Sequence, residues 1–242
     1  MKILEKRILA QSKDTRITQL KIEAFEIAQK AQPGQFVVVM AKEIGERIPL
    51  TIVDADERAI ILIFQETGLS TKLLGSLEPG ESVYALAGPL GKPTEIKLYG
   101  RVMVVAGGVG AAEVYPVAKA LRKAGNKVIA CIGARTKDLI ILEKQLKSVC
   151  DALYVATDDG SYGKKGNVAD TLNELLTHNL QPTAYSLIYA VGPIRMMQKV
   201  CEITKFFGIN TKVSLNALMV DATGMCGCCR VKVGGETKFS CI

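Results

Sequence analysis

The chemistry of this chain is concentrated at its end. Cys226, Cys228, Cys229 and Cys241 crowd into the final stretch, a C-x-C-C run followed by one more cysteine. Thiolates gathered in this way are soft ligands for iron or zinc. Between them, Arg230–Val233, Gly234-Gly235 and Glu236–Phe239 read as a hairpin. Gly-Gly supplies the two positive-φ positions of a tight turn, and Val231 and Val233 alternate with Arg230 and Lys232. With the glycines as the turn, Val233 pairs with Glu236, Cys228 lies opposite Cys241, and Cys229 is the next residue along. The hairpin thus returns Cys241 to the Cys226-x-x-Cys229 turn and leaves room for one more ligand. Asp221, five residues before Cys226, is a candidate for it.

A second group of residues is suited to phosphates. Gly107-Gly108-Val109-Gly110 ends an apolar run and opens a helical one. Glycines there let a phosphate approach the backbone, and a helix N-terminus offers free N–H groups and the positive end of a dipole. The spacing is neither the G-x-G-x-x-G of a Rossmann fingerprint nor a G-K-[ST] loop, which excludes a triphosphate P-loop. Thr157-Asp158-Asp159-Gly160-Ser161-Tyr162-Gly163 and Gly192-Pro193 end two further apolar runs. Asp158 and Asp159 suit ribose hydroxyls, although Asp-Asp-Gly is also a good turn by itself. Glu113, early in the helix, opposes an anion unless it points away. Arg135 and Lys137 suit a 2′-phosphate or a plain surface equally. Earlier in the chain, Arg47-Ile48-Pro49-Leu50-Thr51 and Gly68-Leu69-Ser70-Thr71 set a cation and hydroxyls at a strand start and a helix start. Each also has a bland explanation: an exposed strand start, and a helix capped by Ser70.

The elements that must position these groups fall into three parts. Residues 1–98 carry short apolar runs at 2–9, 15–22, 35–40, 50–54, 59–65 and 82–86, separated by turn signals and one helical stretch at 70–77; this predicts a barrel or sandwich. Gly88-Pro89-Leu90-Gly91 reads as a sharp turn out of that part. Residues 99–217 alternate strands (101–106, 127–132, 152–156, 186–191, 211–215) with helices (111–124, 137–147, 167–178, 194–207). Val114, Val117, Ala118 and Leu121 share one helix face. Continuously apolar strands between helices predict a doubly wound parallel sheet, whose ligands bind at the strands' carboxyl ends. Residues 218–242 are the hairpin.

Composition narrows the function further. The chain has 242 residues, of which 48% are hydrophobic and 23% charged, as expected of a soluble globular protein. The net charge of +7 is spread along the chain, and there is no Trp, so the charge suits an anionic ligand or acidic partner and plain solubility equally, and no nucleic acid is expected. No apolar run approaches the roughly 18 residues of a membrane span, and no signal peptide opens the chain, so no membrane association is expected. Seven cysteines, an odd number with crowded spacing, favour metal ligation in a reducing compartment, the cytoplasm, over disulfides. The single histidine, His178, reads as a surface residue at a helix end. Histidine triads and multi-histidine metal sites are excluded, which leaves the chemistry to cofactors.

Taken together, R-x-P-L-T, G-x-S-T, G-G-x-G, T-D-D-G-S-x-G, G-P-x-x-M-M and the cysteine hairpin resemble the ferredoxin–NADP reductase superfamily over essentially the whole chain. Within it they resemble the dihydroorotate dehydrogenase electron-transfer subunits and the small subunits of NADH-dependent reduced ferredoxin:NADP oxidoreductases. The resemblance implies a Greek-key barrel binding FAD through Arg47, Pro49, Leu50, Thr51, Phe64, Gln65, Gly68, Ser70 and Thr71. It implies an NAD(H) site over Gly107, Gly108 and Gly110, with Asp158, Asp159, Gly192 and Pro193 nearby. It implies a [2Fe-2S] cluster on Asp221, Cys226, Cys229 and Cys241, with Cys228 a neighbour that could swap in. The dihydroorotate-type subunits carry a cysteine where this chain has Asp221; a carboxylate there resembles the ferredoxin:NADP oxidoreductase small subunits. Two departures stand out: Ala112-Glu113 replaces a frequent Ala-Pro, and the chain ends one residue after Cys241, where such subunits usually carry on.

The activity implied is electron transfer. Hydride passes between the nicotinamide and flavin N5, a step that needs no protein acid or base. Single electrons then move through the cluster to a larger flavin and iron–sulfur partner related to the glutamate synthase small chain, with ferredoxin reached through the complex and electron bifurcation at the partner's flavin. NAD rather than NADP follows from the resemblance. Two alternatives stay open: an electron-transfer subunit of an NAD-dependent dihydroorotate dehydrogenase, and a nucleotide-binding regulatory module in which the cysteines hold zinc.

Overall fold

The computed structural model describes residues 1–178 and 185–242. Grouped by contact, the chain forms two compact units, Met1–Thr94 with Leu215–Ile242, and Glu95–Ser214. The cysteine segment therefore shares a unit with the N-terminal strands.

The first unit is a six-stranded antiparallel barrel of β1 (Ile3–Gln11), β2 (Arg16–Glu23), β3 (Phe36–Met40), β4 (Ile48–Ala55), β5 (Ala59–Gln65) and β6 (Ala85–Leu90), in the order β1-β2-β5-β4-β3-β6. The edges close through the chain ahead of each: Lys2 bridges Ser82, and the Ile3 N–H donates to the Glu81 carbonyl at 2.8 Å. Ile3, Leu20, Ile22, Val37, Val39, Ile52, Ile60, Leu62 and Phe64 fill the interior. Two helices complete the unit, α1 (Phe25–Lys30), which the sequence pattern does not reveal, and α2 (Leu69–Ser76), anchored in the same core by Leu74. The expected turn at 88–91 is a strand instead: β6 runs through Pro89 to pair Leu90 with Phe36. It lies at the end of the strand order, where a missing N–H is tolerated.

β3 is apolar at four consecutive positions, and the alternation of side chains explains why. Val37 and Val39 point into the barrel core, whereas Phe36 and Val38 pack against Ala222, Cys229 and Cys241. The strand is buried on both faces because the cysteine segment covers its outer one.

The second unit is a parallel sheet of β7 (Arg101–Gly107), β8 (Lys127–Ala134), β9 (Ala152–Thr157), β10 (Lys164–Lys165), β11 (Leu187–Val191) and β12 (Thr211–Ser214), in the order β10-β9-β8-β7-β11-β12. α3 (Gly110–Lys123) and α4 (Glu143–Val149) cover one face, and α5 (Val168–His178) with α6 (Ile194–Phe206) covers the other. Val114, Val117, Ala118 and Leu121 of α3 are all buried against the sheet, the two valines and the leucine contributing about 1.5–3 kcal/mol each. The expected helix over 137–147 is broken. A 3-10 turn at Lys137–Leu139 is followed by Leu142 at φ 54, where the left-handed backbone restarts the chain as α4. The side chain of His178 and the segment after it, where the sequence places the end of that helix, lie outside the described residues.

A polar node secures the entry to β7. Buried Asn126 donates to the Lys97 and Leu121 carbonyls at 2.9 and 2.8 Å and accepts from the Tyr99 and Gly100 N–H groups at 2.7 and 3.0 Å. Glu95 bonds Lys97 (2.8 Å), Lys212 (3.0 Å) and the Tyr99 hydroxyl (3.0 Å). These three donors, Lys97 first, hold the Glu95 carboxyl at about 2 against an ordinary 4.5. A depressed carboxyl stabilises the fold above its unfolded value and loses that contribution as pH falls through the folded one. Glu95→Gln is therefore expected to lower the melting temperature above pH 4.5, with the difference from wild type closing between pH 4.5 and about 2. Because the group is exposed, the effect should be small and should shrink in salt. Melting curves across that range check both features.

Candidate functional site

The hairpin forms as its sequence requires. β13 (Arg230–Val233) and β14 (Glu236–Phe239) pair Val233 with Glu236, and Gly234 and Gly235 take φ values of 59° and 87°. Ser240 N–H continues the register to the Cys229 carbonyl at 3.1 Å. That register brings Cys241 back onto Cys229, with sulphurs 3.1 Å apart and both residues buried. Burial raises both thiols. Hydrogen bonds from Cys241 and from the Cys241 and Ser240 N–H groups outweigh it at Cys229, whose thiol falls below its ordinary value while that of Cys241 stays above. Asp221 reaches forward over the same loop and accepts the Thr223 N–H at 2.9 Å and the Cys226 N–H at 2.7 Å. The Thr223 bond, with that of Cys226, holds its carboxyl below the usual range. Each carboxylate oxygen keeps a further lone pair for a ligand. Cys226 and Cys228 are exposed, and a hydrogen bond to Cys226 raises the Cys228 thiol.

The four expected ligands thus stand as two pairs, Cys229 with Cys241 and Asp221 with Cys226. Among the described residues, no three or more His, Cys, Asp and Glu side chains converge on one point as a mononuclear site requires. A thiolate pair and a carboxylate–thiolate pair match the ligand count of a two-iron cluster, in which each iron takes two protein ligands. The remaining cysteines are plain thiols: burial pushes Cys131 and Cys150 up to about 12 and raises Cys201 as well.

On the barrel, the register of β3 and β4 decides which side chains can face a ligand. Val37 pairs with Leu50 and Val39 with Ile48 on the core side; Phe36 pairs with Thr51 and Val38 with Pro49 on the outer side. Pro49 and Thr51 therefore share an outer face with the residues beneath the cysteine loop. Beside them the ladder from β4 to β5 begins only at Ile52 and Leu62, so Ile48–Thr51 stand apart from the end of β5, where Phe64 and Gln65 lie. Phe64 turns its ring into the core, so only its backbone borders this cleft. Arg47 is exposed at the mouth. Gly68, rather than Ser70, is the N-cap of α2. The Thr71 hydroxyl takes the Thr67 and Gly68 N–H groups, each at 3.0 Å. The N–H groups of Leu69, Ser70 and Thr71 have no carbonyl within the helix. An open strand end beside a helix N-terminus fits a flavin with its diphosphate.

In the second unit, β7 lies between β8 and β11. The chain leaves β7 toward β8 on one side and returns to β11 on the other, and the crevice where the direction switches is the expected ligand site of such a sheet. Gly107-Gly108-Val109-Gly110 and Gly192-Pro193 are the two lips of that crevice. They touch: a Cβ on Gly110 would stand 2.5 Å from the Val191 carbonyl oxygen, and one on Gly107 would meet Met196 and Pro193. Gly108, at φ 58, faces open space. Asp158 and Asp159 follow β9, two strands away along the same rim. Asp159 is engaged in its own turn, accepting the Ser161 N–H at 2.9 Å and hydroxyl at 2.7 Å, whereas Asp158 is exposed. Lys137 lies 5.5 Å from the centre of the Tyr162 ring.

Comparison with known proteins bears on this arrangement. The family model for the oxidoreductase NAD-binding domain matches residues 104–202, within the second unit. A Thermotoga maritima protein named as a homolog of the dihydroorotate dehydrogenase B (NAD(+)) electron transfer subunit is 44% identical over 224 residues, 91% of this chain and 77% of that protein. The chain belongs to this family of electron transfer subunits. The Geobacillus thermodenitrificans subunit of that name is 32% identical over 99% of this chain and 91% of its own length. A solved structure of an NADH-dependent reduced ferredoxin–NADP oxidoreductase, from work on flavin-based electron bifurcation, superposes with a TM-score of 0.90 at 41% identity, covering 99% of this chain and 84% of that one. As a member of this family the chain is an oxidoreductase subunit with a ferredoxin-reductase-like fold, made of a barrel and a nucleotide-binding sheet. Among the described residues, no helix is long and apolar enough to cross a membrane.

Phe36 and Val38, which seat the cysteine loop, belong to none of the sequence motifs. The signal was present in the unbroken run Phe36-Val37-Val38-Val39, since an antiparallel strand with one wet face should alternate.

Proposed function

We propose that the chain is the NAD(H)-linked subunit of an NADH-dependent reduced ferredoxin:NADP oxidoreductase, carrying FAD, NAD(H) and a [2Fe-2S] cluster and exchanging electrons with a larger flavin and iron–sulfur partner related to the glutamate synthase small chain, through which ferredoxin is reached in a bifurcating reaction. The observation that carries the electron path is the shared outer face of β3 and β4. Thr51 and Pro49 stand directly across from Phe36 and Val38, which pack on Cys229 and Cys241. Cross-strand neighbours are about 5 Å apart, so a flavin edge along Pro49–Thr51 and a cluster on the cysteine loop would be one strand apart.

When bound, the flavin exchanges two-electron with one-electron transfer and the cluster carries single electrons. The protein's part is to hold and orient. Arg47 and the first turn of α2 receive the flavin diphosphate, and Pro49, Thr51 and the backbone of Leu50 and Phe64–Gln65 border the ring and ribityl chain, Leu50 turning its side chain to the core. Gly108 and the first turn of α3 receive the pyrophosphate of NAD(H), Asp158 takes a ribose hydroxyl, and Gly192-Pro193 flank the nicotinamide. Asp221, Cys226, Cys229 and Cys241 would hold the cluster. Free thiols at Cys131, Cys150 and Cys201 fit a reducing compartment, the cytoplasm.

A dihydroorotate dehydrogenase electron-transfer role is the second reading, favoured by the names of the relatives. Asp221, bonded to the Cys226 N–H, supports the first, because a carboxylate stands where the dihydroorotate type has a thiolate. A zinc-holding regulatory module is disfavoured by Asp221, since structural zinc normally takes Cys and His. Anaerobic purification tests all three. Flavin bands with broad iron–sulfur absorption and a glutamate-synthase-like partner are expected; a dihydroorotate dehydrogenase partner would select the second reading, and a colourless zinc protein the third. Asp221→Cys is expected to assemble a cluster with a shifted potential, read by redox titration. A potential and spectrum equal to wild type would remove Asp221 from the ligand set.

A further inference from the structure

Glu66 follows the last residue of β5 and stands two residues ahead of the N-cap of α2. Its side chain is only 9% exposed. Thr18 of β2, fully buried, donates its hydroxyl to Oε1, and Arg16 Nε lies 3.3 Å from the same oxygen. Arg16 Nε is itself buried and makes no hydrogen bond, so the ion pair is the contact that offsets its desolvation. On its other side the carboxylate rests on Gly75 of α2, where a Cβ would stand 2.3 Å from both Cδ and Oε1. Glycine inside an eight-residue helix weakens it. Its presence here is explained by a contact too close for any side chain.

We infer that Glu66 is a positioning residue for the flavin. Held by Thr18 and Arg16 from β2 and seated on Gly75, it fixes the direction in which α2 presents its first-turn N–H groups to the flavin diphosphate. The inference rests on the flavin assignment above and adds residues to which that assignment gives no role. Leu73, Leu74 and Leu77 anchor the α2 region in the core, but apolar contact is non-directional and fixes the helix axis less sharply than a hydrogen bond does. A charge-assisted, geometrically specific clamp removes that freedom. Thr71 already occupies the Thr67 and Gly68 N–H groups, so the aim of the remaining donors depends on the helix axis.

The full chain, stripped of flavin, is titrated with FAD and with riboflavin, which has no phosphate. Gly75→Ala is expected to raise the Kd for FAD about tenfold or more while leaving riboflavin within about twofold. In a Glu66→Ala background the same change should add nothing, because the methyl then meets no carboxylate. Thr18→Val, which keeps the shape and removes the hydroxyl, should weaken FAD in the same sense, and replaces Gly75→Ala should that variant fail to fold. Equal losses for FAD and riboflavin, a lower melting temperature with FAD affinity intact, or full additivity of E66A and G75A would each overturn the inference. Wild-type chain that binds neither ligand would overturn the flavin assignment together with it, a result distinct from the other three.

Discussion

Cys241→Ser should yield a protein that keeps its flavin absorption and loses its iron–sulfur absorption, with iron and acid-labile sulfide below about a tenth of wild type. The expectation follows from burial and pairing. Cys241 is 1% exposed and lies 3.1 Å from Cys229, inside an apolar cluster with Phe36, Val38 and Ala222. A hydroxyl is a hard, far less acidic donor and a poor replacement for a thiolate on iron. Cys229→Ser should behave alike, because the two sulphurs form one pair. Cys228→Ser is the control. Cys228 is exposed and bonded toward Cys226, outside both ligand pairs, so its cluster content should stay near wild type. Flavin content should hold in all three, since β4, β5 and α2 are untouched. Full cluster loading in Cys241→Ser, or loss in Cys228→Ser alone, would show that the ligand pairs are drawn wrongly.

The second large effect is expected at the other cofactor. Gly110→Ala places a methyl 2.5 Å from the Val191 carbonyl oxygen and 2.9 Å from its carbon, both backbone atoms that cannot swing away. The helix must back off from β11, which opens the crevice at the sheet's switch point. Overpacking of this kind costs about 1–3 kcal/mol, and displaced phosphate donors should weaken NADH by about 10- to 100-fold. Gly108→Ala separates the two causes. It meets no atom within 4 Å but has φ 58, so its strain is about 1 kcal/mol, and its methyl stands in the space assigned to the pyrophosphate. NADH binding should fall in both variants and stability mainly in Gly110→Ala. Calorimetric titration and melting curves read the two quantities independently, and flavin and cluster contents should not change. NADH affinity equal to wild type in Gly108→Ala would remove the glycine turn from the binding site.

Several features were legible in the residues because they depend on local chemistry. Gly234-Gly235 can only be a tight turn with two positive-φ residues, so the register from Val233–Glu236 back to the cysteines follows by counting. The parallel sheet follows from apolar runs between amphipathic segments, and Val114, Val117, Ala118 and Leu121 are buried as their spacing requires. The lone histidine and the absence of a P-loop removed whole classes of chemistry without any fold. Boundaries were less legible where tertiary pairing overrides a turn signal: Pro89 lies within β6 since an edge strand does not need its N–H, and the 137–147 helix breaks at a left-handed Leu142 that no residue type announces.

Tertiary structure alone decided how the pieces meet. Four cysteines in sequence do not say whether their ligands form one tetrahedron or two pairs. Asp221 folds over the Cys226 N–H within its own loop, whereas Cys229 and Cys241 are buried against β3, from the far end of the chain. The sharing of one sheet face by Thr51, Pro49, Phe36 and Val38 depends on strand register, which a one-residue slip would reverse. The clamp of Thr18, Arg16, Glu66 and Gly75 joins a strand, a strand end and a helix interior, and has no local signature beyond one glycine in an unlikely place. Sequence determined which ligands and turns are available, because side-chain chemistry and backbone freedom are properties of single residues. Which ligands stand together, and what aims them, are properties of packing between distant ones.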